Sequence, residues 1–363
     1  MIYSGPHFYI SNPIYKCPKK NYRHHADYDT VNLCIEPSNY ELRSIYKPTS
    51  VNDSYKDSVR GFYHHTDTLG NKVYEKWSEY YKFGYRKMLS QTGERTLIGC
   101  IMPPRTMHLA TVNSIAFKSL PELVETSALF SSLLYDFYVR VIGAGDLYEV
   151  RLVTFPLGID DKYKPALFAR TLLLNCLTTA YADLWQEMWN EDYKAEKWSI
   201  TDERLKPFNM LSAEWKWQTP LRNYFERRQA LVEIDVISAM ALGLTLEDLE
   251  MIYTIQFPVL QQNENDTWYD QEGKIVFTCS KGLTGVGLDR PKWNEIRGEQ
   301  KDDNTFLGAS DTYTHTIDPS KSELYGGQQQ VFKAPYTRCD RIADYRRAWA
   351  HFEKVFTCDQ GQS

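Results

Sequence analysis

The chain has 363 residues, 42% of them hydrophobic and 14% aromatic, and a formal net charge of −5. That length and apolar content suffice for a large core and two or three structural units, and no apolar run approaches the roughly 18 residues a bilayer crossing needs. The negative balance speaks against a protein that coats nucleic acid indiscriminately, but it leaves room for a local basic face.

The start, Met1-Ile2-Tyr3-Ser4-Gly5-Pro6-His7, has neither the basic end nor the apolar centre of a signal peptide, so a cytoplasmic location is expected. Seven widely spaced cysteines, with no Cys-x-x-Cys pair, argue against a disulfide framework and against a zinc site. Residues 1–75 are rich in Tyr, Pro, Asn, Asp and His around short apolar islands, which predicts short strands joined by loops. Within them Asn12-Pro13-Ile14-Tyr15 differs by one residue from the Asn-Pro-Pro-Tyr motif with which amino-methyltransferases hold a flipped adenine. Eleven residues are too few to build a methyl-donor fold upstream of it, so a strand and turn is the expectation. The neighbours His24-His25 and His64-His65 would point to opposite faces of a strand, so neither pair is expected to chelate a metal.

The spacing of Tyr81, Tyr85, Met88 and Leu89 predicts a helix across 74–90, broken at Gly84, with Arg86 and Lys87 beside its apolar face. A polar turn at 91–95 leads into a strand at 96–101, which Pro103-Pro104 ends because prolines donate no ladder hydrogen bond. A basic crossing, 105–108, precedes a second strand at 109–117. Pro121 and Glu122 open a helix whose Leu123, Phe130, Leu134, Phe137 and Val141 share a face, and Gly143 and Gly145 stop it. Residues 147–157 then read as a closing strand. Between 76 and 118 the cations Lys76, Lys82, Arg86, Lys87, Arg95, Arg105 and Lys118 face only Glu79 and Glu94, whereas 183–206 is predominantly acidic.

Further along, Pro165 starts a long helix striped by Leu167, Leu174, Leu177, Tyr181, Leu184 and Met188. Residues 222–242 predict another, with Ala230, Ile234, Ile237 and Ala241 on one face and charges on and near it. Thr245 and Asp248 form a capping-box pattern for a third helix that Pro258 closes. A hairpin is expected at 268–278, turning at 270–273, which would put Glu272 and Lys274 on a turn tip, badly placed for nuclease chemistry. Ser280 to Gly287 has the glycines of a phosphate loop but no Gly-Lys-Ser/Thr end, so a conformational role is expected. Residues 299–327 predict a weakly ordered loop, and 340–356 a short helix docked by Tyr345, Trp349 and Phe352.

The strand pair, helix, glycine break and Phe155-Pro156 resemble the TaqI-like specificity domain, the target-recognition part of adenine-specific DNA methyltransferases. Four stretches, RKMLSQTGERTLIGCIMPP (86–104), RTLLLNCLTTAYADLW (170–185), ERRQALVEIDVISAMALGLTLEDL (226–249) and TWYDQEGKIVFTCSKGLTGVGLDR (267–290), resemble the region after the catalytic domain in large type IIG-like and DISARM-like phage-defence methyltransferases. This resemblance covers about 4–352. It implies an α+β fold: a β-rich target-recognition domain at 1–160, a helical scaffold at 161–262, and a hairpin, loop and C-terminal helix at 263–363.

The function it implies is DNA target recognition within a restriction-modification or antiviral defence system, with double-stranded DNA and a catalytic methyltransferase domain or subunit as partners. Lys16, Arg23, Arg86, Arg95, Arg105, His108 and Asn113 are the candidate DNA-contacting residues, the cations for phosphates and the polar side chains for base edges. No residue of the chain carries a catalytic signature, and no cofactor or metal is expected on it; S-adenosylmethionine is expected on the partner or parent catalytic domain. An alternative is a scaffold whose helices, 165–258, dock a separate methyltransferase or nuclease chain.

Overall fold

Phe83 and Tyr85 alternate with Lys82, Gly84 and Arg86, and this period of two decides a segment whose four-residue tyrosine spacing suggested a helix. In the computed structural model, which describes residues 1–24, 27–47 and 61–358, the segment is strand β6.

Among the described residues, the first part of the α+β chain holds nine strands. These are β1 (Ile2–Tyr3), β2 (Lys16–Pro18), β3 (Tyr28–Thr30), β4 (Gly61–Thr66), β5 (Lys72–Lys76), β6 (Lys82–Arg86), β7 (Gly99–Met102), β8 (Met107–His108) and β9 (Val112–Ala116). The strands expected at 96–101 and 109–117 exist in shortened form as β7 and β9, but they do not pair with each other. β6 lies between them, antiparallel to both, with Phe83 opposite Ile101 on one side and Ile115 on the other. The thioether of Met102 packs over Gly84, where a Cβ would lie 2.2 Å from it.

This sheet is buried on both faces. Phe83, Tyr85, Leu97 and Ile101 join the helical core, while Ile98, Cys100, Met102 and Val112 join a smaller core with Tyr3, Phe8, Ile10 and Ile14. Burial of each such side chain contributes about 2 kcal/mol.

The expected helix from Pro121 to Val141 is two helices, α1 (Leu120–Ser131) and α2 (Leu133–Ile142). Ser132 adopts an extended backbone between them and its hydroxyl accepts from Tyr135 N, so a cap that a sequence period cannot show divides the run. Gly143 ends α2 in the left-handed region at φ 66°. The closing strand expected at 147–157 is instead one helical turn, α3 (Glu149–Leu152), and the three-stranded sheet ends at β9.

The helix expected from Pro165 runs as α4 (Lys164–Asn175) and α5 (Ala182–Glu187). Asn175 turns its side-chain oxygen to Ile101 N, 2.9 Å away, and the chain leaves helical geometry at Cys176. Helix α6 (Tyr224–Ala241) follows, begun by the Asn223/Glu226 capping box, then α7 (Leu246–Gln256), begun by Thr245 and Asp248, and α8 (Pro258–Asn265).

The last part carries β10 (Thr267–Tyr269), β11 (Ile275–Thr278), α9 (Arg290–Ile296), β12 (Gln300–Asp302), β13 (Thr305–Phe306), β14 (Thr312–Thr316), β15 (Gln329–Lys333), β16 (Tyr336–Arg338) and α10 (Arg341–Cys358). The stretch 299–327 therefore contains strands where composition suggested a loop. A five-stranded sheet runs β11-β10-β16-β13-β12, and Trp293 on α9 packs its core against Trp268, Phe277, Phe306 and Tyr336. β14 and β15 form a separate two-stranded ribbon. The largest core extends from Phe83 to Phe356, so α10 closes the helical layer rather than the sheet beside it. Among the described residues, no helix is long and apolar enough to cross a membrane.

Candidate functional site

The basic ridge expected along 76–118 is not present as a surface. Arg95 is buried: its guanidinium lies 2.6 Å from the Asp136 carboxylate and donates to the carbonyls of Ser131 and Ser132 at the α1–α2 junction. Arg86 donates to the carbonyls of Gly5 and Phe8, both at 2.8 Å, beneath the rings of Phe8 and Tyr9, and burial lowers its pKa. Both side chains are struts, correcting their expected role in phosphate contact. Lys16 is half-buried over the Tyr15 ring, and burial together with Arg86 brings its ammonium down to about 8.

His108 meets Leu109 O through Nδ1 at 3.1 Å and Ser114 Oγ through Nε2 at 3.0 Å, a network that fits an Nδ1–H donor and an Nε2 acceptor. Asn113 donates to Leu147 O at 3.0 Å, so its amide serves the sheet edge. Of the seven candidates, Arg23 and Arg105 carry exposed side chains, and Arg105 lies 3.6 Å from Glu79.

A different region gathers polar and basic side chains. A cleft of about 850 Å³ opens between the β2–β3 hairpin, residues 280–289, the start of α6 and the β14–β15 ribbon. Its walls come from distant parts of the chain that are tied together. Lys19 Nζ donates to Lys321 O at 3.2 Å, Lys20 N donates to Glu323 at 2.8 Å, and Asp29 accepts from the amides of Glu323 and Leu324. Tyr15 donates to Gly282 O and Thr30 to Thr284 O, which fix the glycine segment. Gly287 has φ 69°, and a Cβ there would lie 2.5 Å from Val276 O, so this glycine serves close approach.

Beneath this segment Glu94 is half-buried, accepting from Ser280 Oγ at 2.9 Å and Asn263 Nδ2 at 2.8 Å, and desolvation raises its pKa. Lys274, Lys292 and Lys321 also line the cleft, facing Glu272, Glu295 and Asp289. At the mouth, the β2–β3 turn presents Lys20, Asn21, Arg23 and His24 to solvent.

No family model, curated protein or solved structure matches this chain. Asn12 spends its side-chain oxygen on Ile14 N, and Tyr15 is buried and stacked on Tyr9 at 5.0 Å, so the Asn-Pro-Ile-Tyr tetrapeptide offers no platform for a flipped base. Glu272 pairs with Lys274 and Lys333 on its turn tip. His24 lies 3.6 Å from Asp27, whereas His25 and the side chains of His64 and His65 fall outside the described residues. No group of three potential metal ligands occurs among the described residues.

Visible in the sequence, though only Arg23 was singled out, were the cations from Lys19 to Arg23 and the alternation Thr312-Tyr313-Thr314-His315-Thr316 within a stretch whose composition suggested a loop. Their convergence was not, because nearly 300 positions separate them.

Proposed function

We propose that this chain is the duplex-DNA recognition part of an adenine-specific DNA methyltransferase system of restriction-modification or phage defence. S-adenosylmethionine and methyl transfer then belong to a partner or parent catalytic domain. The observation that carries the reading is the cross-tied mouth of the cleft, where the exposed cations of the β2–β3 turn meet the loop joining β14 to β15. Lys20 and Arg23 supply sequence-independent attraction to phosphates, while polar side chains nearby meet the bases.

The test is the salt dependence of duplex binding. Lys20→Ala and Arg23→Ala are expected each to lower the slope of log K against log salt by about 0.9 if each removes one phosphate contact. An unchanged slope in both would remove this turn from the interface.

A second reading, docking of a separate catalytic methyltransferase or nuclease chain, is favoured by large exposed apolar side chains at Val141, Val150, Val153 and Leu157. A partner retained after nuclease treatment by a chain that does not retard DNA would favour docking over recognition.

A further inference from the structure

We propose that the β14–β15 ribbon is the element that enters the major groove and reads bases, through the face carrying Thr312, Thr314, Thr316, Gln329, Val331 and Lys333. This rests on the reading that the chain binds duplex DNA, and it names the part of the molecule that supplies specificity.

Strand geometry comes first. The ribbon pairs Thr312 with Lys333, Tyr313 with Phe332, Thr314 with Val331, His315 with Gln330, and Thr316 with Gln329. Alternate residues face opposite ways, and the burial follows that alternation. Phe332 is buried and Tyr313, His315 and Gln330 are partly covered, while the other six side chains are exposed. The ribbon is thus anchored on one face and open on the other. Two strands lie about 4.8 Å apart, and the major groove, about 12 Å wide, admits such a pair.

The chemistry of the open face is the second argument. None of these six side chains is acidic. Three threonines and a glutamine provide neutral donors and acceptors. Gln can bond adenine in a bidentate manner, Thr can bond either kind of edge, and the Thr and Val methyls can meet the thymine methyl. The one cation, Lys333, is held by Glu272 at 2.5 Å, so the face carries little net charge of its own. Such a surface gains little from phosphates and much from base edges.

Position supplies the third argument. The loop from β14 to β15 is the one tied to the β2–β3 turn through Lys19 and Lys20. The cations that would grip phosphates therefore flank the ribbon's tip, and the grip and the reading surface approach a duplex together.

Selection from a randomised duplex pool tests the assignment. The full chain would be compared with Thr314→Ala, Thr316→Ala and Gln329→Ala, all at exposed positions, each checked for an unchanged melting temperature. Relaxed preference at one or two base pairs is expected, with roughly tenfold lower discrimination and an unchanged salt slope. If all three variants keep the wild-type preference while Lys20→Ala or Arg23→Ala lowers the slope, the ribbon assignment is overturned and DNA recognition stands. If the wild-type chain shows neither sequence preference nor salt-dependent duplex binding, both fall.

Discussion

Arg95 shows how charge type and charge role part company at the scale of a residue. Its place after a polar turn suggested a phosphate contact, but Asp136, forty-one positions later, captures it in the interior together with Arg140. The Thr96 amide also donates to this carboxylate. Removing Arg95 would leave Asp136 buried with one guanidinium fewer. Arg95→Ala should therefore lower unfolding free energy by about 3 kcal/mol, at the low end for a broken buried pair because Arg140 remains. Urea denaturation measures this directly, and on the folded variant the salt slope of duplex binding should equal that of the wild type. A lowered slope with unchanged stability would return Arg95 to the DNA interface. What could be read from the sequence here was the presence of cations between 76 and 118. What could not was which of them had a carboxylate or carbonyl waiting inside.

At the scale of elements, local patterns succeeded where one period was unopposed. The capping box of α7, the hairpin of β10 and β11 and the helices α6 and α10 all lie where spacing and turn residues pointed. Failures came where tertiary pairing decided the matter, as in β6, whose aromatic spacing fits both periods until β7 and β9 flank it. The charges expected on and near the apolar face of α6 lie largely in the interior. Arg228 and Glu233 are buried, and Asp235 accepts from Arg341 at 2.8 Å and from Tyr345 at 2.7 Å. Arg341 also donates to Glu264 at 2.8 and 2.9 Å, so three helices, α6, α8 and α10, share one ionic knot. Although burial opposes it, Arg341 and Arg228 hold the Glu264 carboxyl at about 2. A double-mutant cycle with Arg341→Ala and Glu264→Ala should give a coupling energy of about 2 kcal/mol. Additive losses would mean that the Arg341–Glu264 pair does not hold α10 to α8.

At the scale of the whole molecule the cleft depends on contacts between distant parts of the chain, because residues 15–32 meet residues 280–325 along it. Such long-range closure makes the site sensitive to anything that loosens the N-terminal part, and His7 is its most vulnerable group. His7 is fully buried, accepts the Ser4 amide at Nδ1 at 2.8 Å, and meets the rings of Tyr3 and Tyr28 edge-on. Desolvation brings its pKa from 6.5 down to about 4. The folded state thus keeps it neutral while the unfolded chain takes up a proton, so this residue's contribution to stability falls as pH drops from 6.5 towards 4. At 1.36 kcal/mol per pH unit the loss approaches roughly 3 kcal/mol. Carboxyls whose pKa is raised, Glu94 and Asp235 among them, work in the opposite direction, so the total stability curve cannot isolate His7. The difference between His7→Asn and the wild type can. The variant should be the less stable at about pH 7.5, through lost packing, and should then recover roughly 3 kcal/mol relative to the wild type by about pH 4. Tyr28 lines the cleft as well as touching His7, so amide exchange in β2 and β3 should rise ahead of exchange in α6 as the wild type is acidified. A constant difference between the two proteins across that range, or simultaneous opening of hairpin and helix, would separate His7 from the integrity of the cleft.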